Sequence, residues 1–263
     1  MPYLTSFGIK TEKTHPFPFN ASAVKYAKHI DVSAAVTFIV GDNGTGKSTL
    51  LEALAYRLQL PHMNGSGYQK SCFEGARQLL PFINLNWDIE RSIGFFFRAE
   101  DFGDLINSID RQDFKIQSDM NDLLGEVPNH IIREMRQSAN FQLHHMRKNY
   151  GQDLQSFSHG EAYLKIMQEK IEKRGIFILD EPEAALSPSK QLALMYSIQQ
   201  HLSHTMSQFI IATHSPMLMA YPEATIYEIT DSSMQQVSLE DTEHYSITKS
   251  FLNHPEAYLR LLP

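Results

Sequence analysis

The sequence predicts an α/β fold with a mostly parallel central sheet and a helical insertion. Short apolar runs at residues 34–40, 176–179 and 209–213 are typical of buried strands, and they alternate with stretches of helical periodicity. A glycine-rich turn follows the first run, as in a strand–loop–helix unit. The segment at about 101–157 contains helix-like stretches and no strand-like run. We therefore expect one domain of 263 residues with a mainly helical subdomain inserted at about 101–157.

Local patterns predict the remaining elements. The first apolar run stops at Gly41, and residues 50–60 are expected to form the helix that follows. Residues 226–229 are predicted to form a later strand, and residues 255–262 a short helix that closes the domain.

A further helix is predicted to begin at Ser187-Pro188, because serine can cap a helix and proline suits its first turn. Apolar residues then recur at helical spacing. They predict one buried face, formed by Leu192, Met195, Ile198 and Leu202.

Composition and charge limit the classes of function. A hydrophobic content of 42% with 20% charged residues is typical of a globular protein. The formal net charge of −7 argues against a surface that binds nucleic acid over most of its area. It does not exclude a local basic stripe. The single cysteine, Cys72, excludes an intramolecular disulfide. We find no signal peptide and no apolar stretch long enough to span a bilayer, so a cytoplasmic location is expected.

Residues 41–49 fit the pattern G-x-x-x-x-G-K-[ST] of a phosphate-binding loop. Glycines allow the backbone N–H groups to turn toward phosphate oxygens, and the following helix directs its positive end at the same anion. Lys47 is expected to reach the β- and γ-phosphates of ATP, and Ser48 to bind Mg²⁺. The predicted ligand-binding residues of the loop are Gly41, Asn43, Gly44, Thr45, Gly46, Lys47, Ser48 and Thr49.

Two carboxylates follow the second apolar run directly. Asp180 and Glu181 are expected at the carboxyl end of a parallel strand, where open α/β sheets bind ligands. Asp180 is predicted to hold Mg²⁺, and Glu181 to orient or deprotonate the attacking water.

Two more polar motifs admit two interpretations each. Ser158 and Glu161 have the spacing of a helix capping box, but a helix start with a serine and Gly160 can also bind an anion. His214 follows the third apolar run and is either a γ-phosphate contact or a polar residue at a strand end.

The order of these motifs along the chain resembles that of the ABC-class ATPases. In that family the serine–glycine motif acts in trans in a head-to-tail ATP sandwich dimer, so the resemblance implies this role for Ser158 and Gly160. His214 matches the family's switch histidine, which contacts the γ-phosphate and helps to position water. The resemblance therefore implies ATP and Mg²⁺ as ligands, Glu181 and His214 as catalytic residues, and an ATP-dependent homodimer.

Departures from the transporter pattern point to the non-transporter branch of the family, related to chromosome-maintenance, repair and phage-defence ATPases. His159 replaces the first glycine of the transporter signature, and Ser187-Pro188 stands where transporters typically have aspartate. The family's glutamine is also missing. Glu100 is a candidate to take its place beside Mg²⁺ or water, and an ordinary surface carboxylate is the alternative.

Three positions keep alternative interpretations. Arg98 is compatible with phosphate contact or with ion pairing. Phe17 and Phe19 are candidates for stacking on adenine, with packing in the core as the alternative.

The leading hypothesis is an ATPase whose dimer switches an unidentified protein partner, in nucleic-acid maintenance or in defence. The second hypothesis is the ATP-binding subunit of a membrane transporter, against which the missing glutamine and the altered signature argue. A third, a phosphotransferase acting on a small molecule, is disfavoured by the Ser158 and His214 motifs.

Overall fold

The computed structural model describes residues 3–63, 74–88, 94–102, 159–171 and 173–260 of the chain. The strands in these ranges are β1 (Leu4–Ile9), β2 (Ile30–Asp31), β3 (Val36–Gly41), β4 (Ile83–Trp87), β5 (Gly94–Arg98), β6 (Ile176–Asp180), β7 (Gln208–Ala212), β8 (Thr225–Ile229) and β9 (Met234–Val237). The helices there are α1 (Ser22–Tyr26), α2 (Lys47–Arg57), α3 (Glu74–Leu79), α4 (His159–Lys170), α5 (Pro188–His204), α6 (Pro216–Met219), α7 (Glu243–Asn253) and α8 (Pro255–Leu259).

The central sheet has six strands in the order β5-β6-β7-β3-β8-β9. All neighbouring pairs are parallel except β8 and β9, which are antiparallel. A second, antiparallel sheet has the order β2-β1-β4. The predicted α/β class with a mostly parallel sheet is confirmed. No described helix is both long and apolar enough to cross a membrane.

Apolar side chains cover both faces of the central sheet, because neighbouring residues of each buried strand point to opposite faces. Ile39 and Ile178 belong to one core with Leu54 of α2. Phe38 and Leu179 belong to the other core with helices α4 and α5. This two-sided burial explains why these strands are continuous apolar runs in the sequence.

Several sequence predictions need correction. Leu192, expected on the buried face of α5, is 55% exposed, and Leu194 is buried instead. The face is therefore offset from the predicted one, although Ile198 is buried as expected. Ser187 is the residue before α5, but its side chain forms no capping hydrogen bond and contacts the Ser189 hydroxyl.

The antiparallel sheet was not predicted, and a buried glutamine is one of its links to the central sheet. Gln208, the first residue of β7, accepts hydrogen bonds from the backbone N–H groups of Tyr3 and Leu4 at 2.8 and 2.9 Å. Its amide nitrogen donates to the carbonyls of Leu4 and Val32 at 2.8 and 2.6 Å. Its side chain thus binds four backbone groups around β1 and β2 that would otherwise be buried without partners.

Replacing this glutamine is expected to destabilise the protein. Gln208→Leu keeps the approximate volume but leaves buried N–H and C=O groups unpaired, which costs about 1–3 kcal/mol for each group that water does not reach. We expect the free energy of unfolding to fall by at least about 2 kcal/mol, measured by urea titration. The matched control is Gln236→Leu, at an exposed position of β9, and it should change stability little. Equal stability of the two variants would contradict this role of Gln208.

Candidate functional site

The candidate site lies where β6, β7 and β3 end side by side. Asp180 is in register with Ala212 of β7, and Ile39 of β3 pairs with the same residue from the other side. The loop after Gly41, the Asp180-Glu181 pair and His214 therefore leave the sheet at the same edge. This edge is where open α/β sheets bind ligands.

The predicted phosphate loop connects β3 to α2. Lys47 is buried, and its ammonium group donates to the carbonyls of Gly41 and Asp42 at 2.7 and 3.0 Å. The Thr45 hydroxyl donates to the Asp42 carbonyl at 2.8 Å, which closes the turn. Burial lowers the pKa of Lys47, and the nearby Glu181, Asp180, Asp42 and Glu183 carboxylates oppose that change.

Two glycines are required by the shape of this loop. Gly41 has a φ of +147°, and a Cβ there would lie 2.6 Å from the Ile229 carbonyl oxygen. Gly46 has a φ of +92°, and a Cβ there would lie 2.7 Å from the Cβ of Ala21. Of the other predicted loop residues, Asn43 and Gly44 are exposed. Their exposure leaves the rim of the loop open to a ligand.

Asp180 is almost completely buried at the end of β6. One carboxylate oxygen, Oδ2, accepts a hydrogen bond from Arg98 Nε at 3.3 Å. The other, Oδ1, has no hydrogen-bond partner among the described residues, although the Ser48 hydroxyl lies close by. Burial raises the pKa of Asp180 to about 6, against the opposing effects of Arg98 and Ser48.

The guanidinium of Arg98 is engaged in ion pairs with two carboxylates, so it is not open to bind an anion. Its guanidinium lies 3.0 Å from Glu52 Oε2 and 3.3 Å from Asp180 Oδ2, and all three side chains are buried. Burial lowers the pKa of Arg98, but the two carboxylates outweigh this effect and the net change is a rise. Glu100, for which a contact with Mg²⁺ and a surface position were the two alternatives, is exposed and forms no hydrogen bond or ion pair with the described residues. The position beside Asp180 is therefore occupied by Arg98.

Glu181 directs its carboxylate toward His214. The two side chains approach to 3.3 Å between Glu181 Oε1 and His214 Nε2, and both are partly exposed, at 36% and 25%. Glu181 has φ +51° and ψ +50°, a left-handed conformation that is uncommon for residues other than glycine. Such strained residues cluster at functional sites. Here the left-handed conformation of Glu181 turns the chain sharply after β6.

Three further residues of this region were not predicted as site residues. Glu52 lies on the buried face of α2. Glu183 accepts a hydrogen bond from the backbone N–H of His214 at 2.6 Å. His244, at the start of α7, contacts the imidazole of His214, with 2.9 Å between Nε2 and Nδ1. Glu183 follows Glu181 by two positions, whereas Glu52 and His244 come from distant parts of the chain and only the fold brings them to the predicted residues.

The remaining predicted residues are only partly described. Ser158 and most of the predicted insertion lie outside the described residues, and Gly160 is described only as part of helix α4. Phe19 is buried and packs edge-on against Phe82, in agreement with a packed aromatic. Phe17 is 52% exposed, so it has open surface for an adenine ring.

The side chains at Asp180 and Ser48 fit a magnesium ion. Mg²⁺ prefers hard oxygen ligands and uses few protein groups, retaining water and substrate phosphates for the others. The buried Asp180 Oδ1 without a hydrogen-bond partner is such an oxygen, and the Ser48 hydroxyl is beside the carboxylate. A bound cation would also stabilise the charged form of a carboxyl whose pKa is raised by burial.

The comparisons with known proteins agree with this geometry. A family model described as an AAA domain matches residues 22–243. No curated protein sequence matches the chain at a significant level.

Solved structures that are similar include the following three. An Smc head bound to the C-terminal winged-helix domain of ScpA superposes with a TM-score of 0.50 at 14% identity, covering 91% of this chain and 99% of that one. An Smc head domain from Pyrococcus furiosus gives 0.47 at 15% identity, with 97% and 100% covered. The protein cbiO1 from Clostridium perfringens, part of an ABC transporter complex, gives 0.45 at 17% identity, with 97% and 98% covered.

The match with a TM-score of 0.50 concerns the fold alone, because its identity is low. The family match, in contrast, covers most of the chain and includes the phosphate loop, Asp180, Glu181 and His214. The chain therefore belongs to the AAA domain family, and its fold is that of a P-loop ATPase of the ABC class.

Proposed function

We propose that the protein binds Mg-ATP at the carboxyl edge of its parallel sheet and hydrolyses it to ADP and phosphate. The observation that carries the proposal is the convergence of Lys47, Asp180, Glu181 and His214 from three neighbouring strand ends. A cation, a buried carboxylate, a partly exposed carboxylate and an imidazole are the groups that phosphoryl transfer to water requires.

Each group has a distinct role in this proposal. The N–H groups of the loop and Lys47 bind the β- and γ-phosphates, which replace the carbonyl partners that Lys47 now has. Asp180 and Ser48 hold Mg²⁺, which supplies a positive charge that neutralises the phosphates. Glu181 orients a water molecule and accepts its proton, and His214 donates a hydrogen bond to the γ-phosphate.

We also propose that two copies assemble around ATP. The support is the resemblance to the ABC class, in which the serine–glycine motif of one subunit completes the site of the other. In this chain that motif is Ser158 and Gly160, and the helix that begins there is α4. Hydrolysis then separates the subunits, and this cycle switches a protein partner, in nucleic-acid maintenance or in defence.

Loss of the Glu181 carboxylate should abolish hydrolysis without preventing ATP binding. Glu181→Gln keeps the size of the side chain but removes the proton acceptor, so we expect phosphate release to fall on the order of 10²–10⁴-fold. The matched control is Glu223→Gln. Glu223 is also an exposed glutamate with a left-handed backbone, at φ +58°, and it lies in the turn before β8. Equal phosphate release by wild type and Glu181→Gln would contradict the proposed role of Glu181.

The same substitution should trap the dimer. With Mg-ATP, Glu181→Gln is expected to move from monomer to dimer in size-exclusion chromatography with light scattering, because bound ATP is no longer consumed. Adding Ser158→Arg should abolish the shift, since a long cation would block the trans contact. Adding Ser203→Arg instead, at an exposed position near the end of α5, should leave the dimer intact. A monomer at saturating ATP would exclude the sandwich model.

A further inference from the structure

Each ring nitrogen of His214 faces a polar group, and Nε2 forms no hydrogen bond with the described residues. His214 Nδ1 lies 2.9 Å from Nε2 of His244, and the two ring centroids are 5.0 Å apart. On the opposite side of the ring, Nε2 lies 3.3 Å from Oε1 of Glu181. His244 is thus connected to the predicted catalytic carboxylate through a single imidazole ring. It also lies just beyond residues 22–243, which match the family model.

The proton in the histidine pair has two arrangements, and they affect Nε2 of His214 differently. A hydrogen bond between two imidazole nitrogens needs one donor and one acceptor. If His214 donated from Nδ1, its Nε2 would direct a lone pair at the Glu181 carboxylate and at a phosphate, which are both acceptors. If His244 donates from Nε2, the proton of His214 is on Nε2, where it faces those acceptors. Only the second arrangement places a donor opposite an acceptor on both sides of the His214 ring.

Burial, more than the surrounding charges, favours a neutral His214 ring, so that the position of its one proton matters. Burial is the largest effect that lowers the pKa of His214, and Lys47 and His244 act in the same direction. The carboxylates of Glu181 and Glu183 act in the opposite direction. The net effect lowers the pKa, so the neutral form, which has a single N–H, predominates near pH 7.

The start of α7 is fixed firmly enough to hold His244 in this position. The backbone N–H of Glu243 donates to Glu228 Oε1 at 2.9 Å, and Glu228 is paired with Val40 beside the phosphate loop. Thr242 is fully buried, and its hydroxyl donates to the Leu239 carbonyl at 2.7 Å. The first turn of α7 is therefore tied to β8, and through β8 to the end of β3.

We propose that His244 is a positioning residue for His214: its Nε2–H donates to Nδ1 of His214 and keeps the proton of His214 on Nε2. The hydrogen on Nε2 then points at Glu181 and at the γ-phosphate of the bound nucleotide. Outer partners that fix the tautomer of a functional histidine have the same role in metal sites. This inference rests on the proposed function, because the tautomer serves catalysis only if His214 contacts the γ-phosphate. The tautomer itself can be measured without nucleotide.

The first test reads the tautomer of His214 by long-range ¹H–¹⁵N NMR on the nucleotide-free full chain. The signals of His214 are identified by their loss in His214→Gln. We expect wild type to have the proton on Nε2. His244→Gln places an amide N–H near the position of the imidazole Nε2–H and should preserve this tautomer, whereas His244→Met, of similar length but without a donor, should populate the Nδ1–H form. A wild-type His214 with its proton on Nδ1 would overturn the proposal, and that result needs no variant.

The second test separates catalysis from binding. His244→Met should lower kcat for ATP hydrolysis on the order of tenfold and change KM little, because the phosphate loop binds the nucleotide without His244. His244→Gln should recover most of kcat. Equal and undiminished kcat in both variants would overturn the positioning role. If wild type itself released no phosphate, the proposed function would fail, while the NMR result would still decide between the two tautomers.

Discussion

A buried arginine between two carboxylates fixes the relative positions of the elements that form the site. Arg98 ends β5, Glu52 lies on α2, and Asp180 ends β6, with ion-pair distances of 3.0 and 3.3 Å. Removing one partner of such a buried pair typically costs about 3–5 kcal/mol, because the other charge is left without compensation. The contact holds the helix after the phosphate loop against the strand that carries Asp180. The distance between the phosphate-binding and metal-binding groups therefore depends on it.

The same ion pair affects the chemistry of the edge. Arg98 compensates part of the negative charge of Glu52 and Asp180, but the pKa of Asp180 still rises to about 6 because the carboxylate is buried. Lys47, close by, satisfies its ammonium group with two backbone carbonyls. The edge thus holds one ammonium group, that of Lys47, for a polyanion and a carboxylate oxygen, Oδ1 of Asp180, for a cation. This combination suits a nucleotide that enters together with Mg²⁺.

The sequence predicted the parts of the fold that depend on local pattern. The buried strands β3, β6 and β7 are continuous apolar runs, and the phosphate loop has a fixed residue spacing, so both were recognisable. The antiparallel sheet was missed because β2 has only two residues and because the hydrogen bonds from Gln208 to Leu4 of β1 depend on a side chain 204 positions away. Leu192 was misplaced because a small offset in helical phase moves a residue from the buried face to the exposed one.

In the candidate site, the predicted residues were those that follow strands directly along the chain. Arg98 was recognised as a candidate for phosphate contact or for ion pairing. Its ion pair with Glu52 depends on a residue of α2, 46 positions earlier. His244 lies 30 positions after His214 and has no motif around it. Contacts of this kind depend on how α2 and α7 pack against the sheet, and one sequence contains no local signal for such packing.

Calorimetric ATP binding with Mg²⁺ or with EDTA tests most directly whether Asp180 and the phosphate loop form one Mg-ATP site. Wild type should bind ATP more tightly with Mg²⁺, on the order of tenfold or more, since Asp180 would hold the cation and the cation would neutralise charge on the phosphates. Asp180→Asn should bind ATP equally with and without Mg²⁺, while Asp88→Asn, at an exposed position after β4, should behave as wild type. If Asp180→Asn retained the full effect of Mg²⁺, Asp180 would not be the residue that holds the cation at an Mg-ATP site.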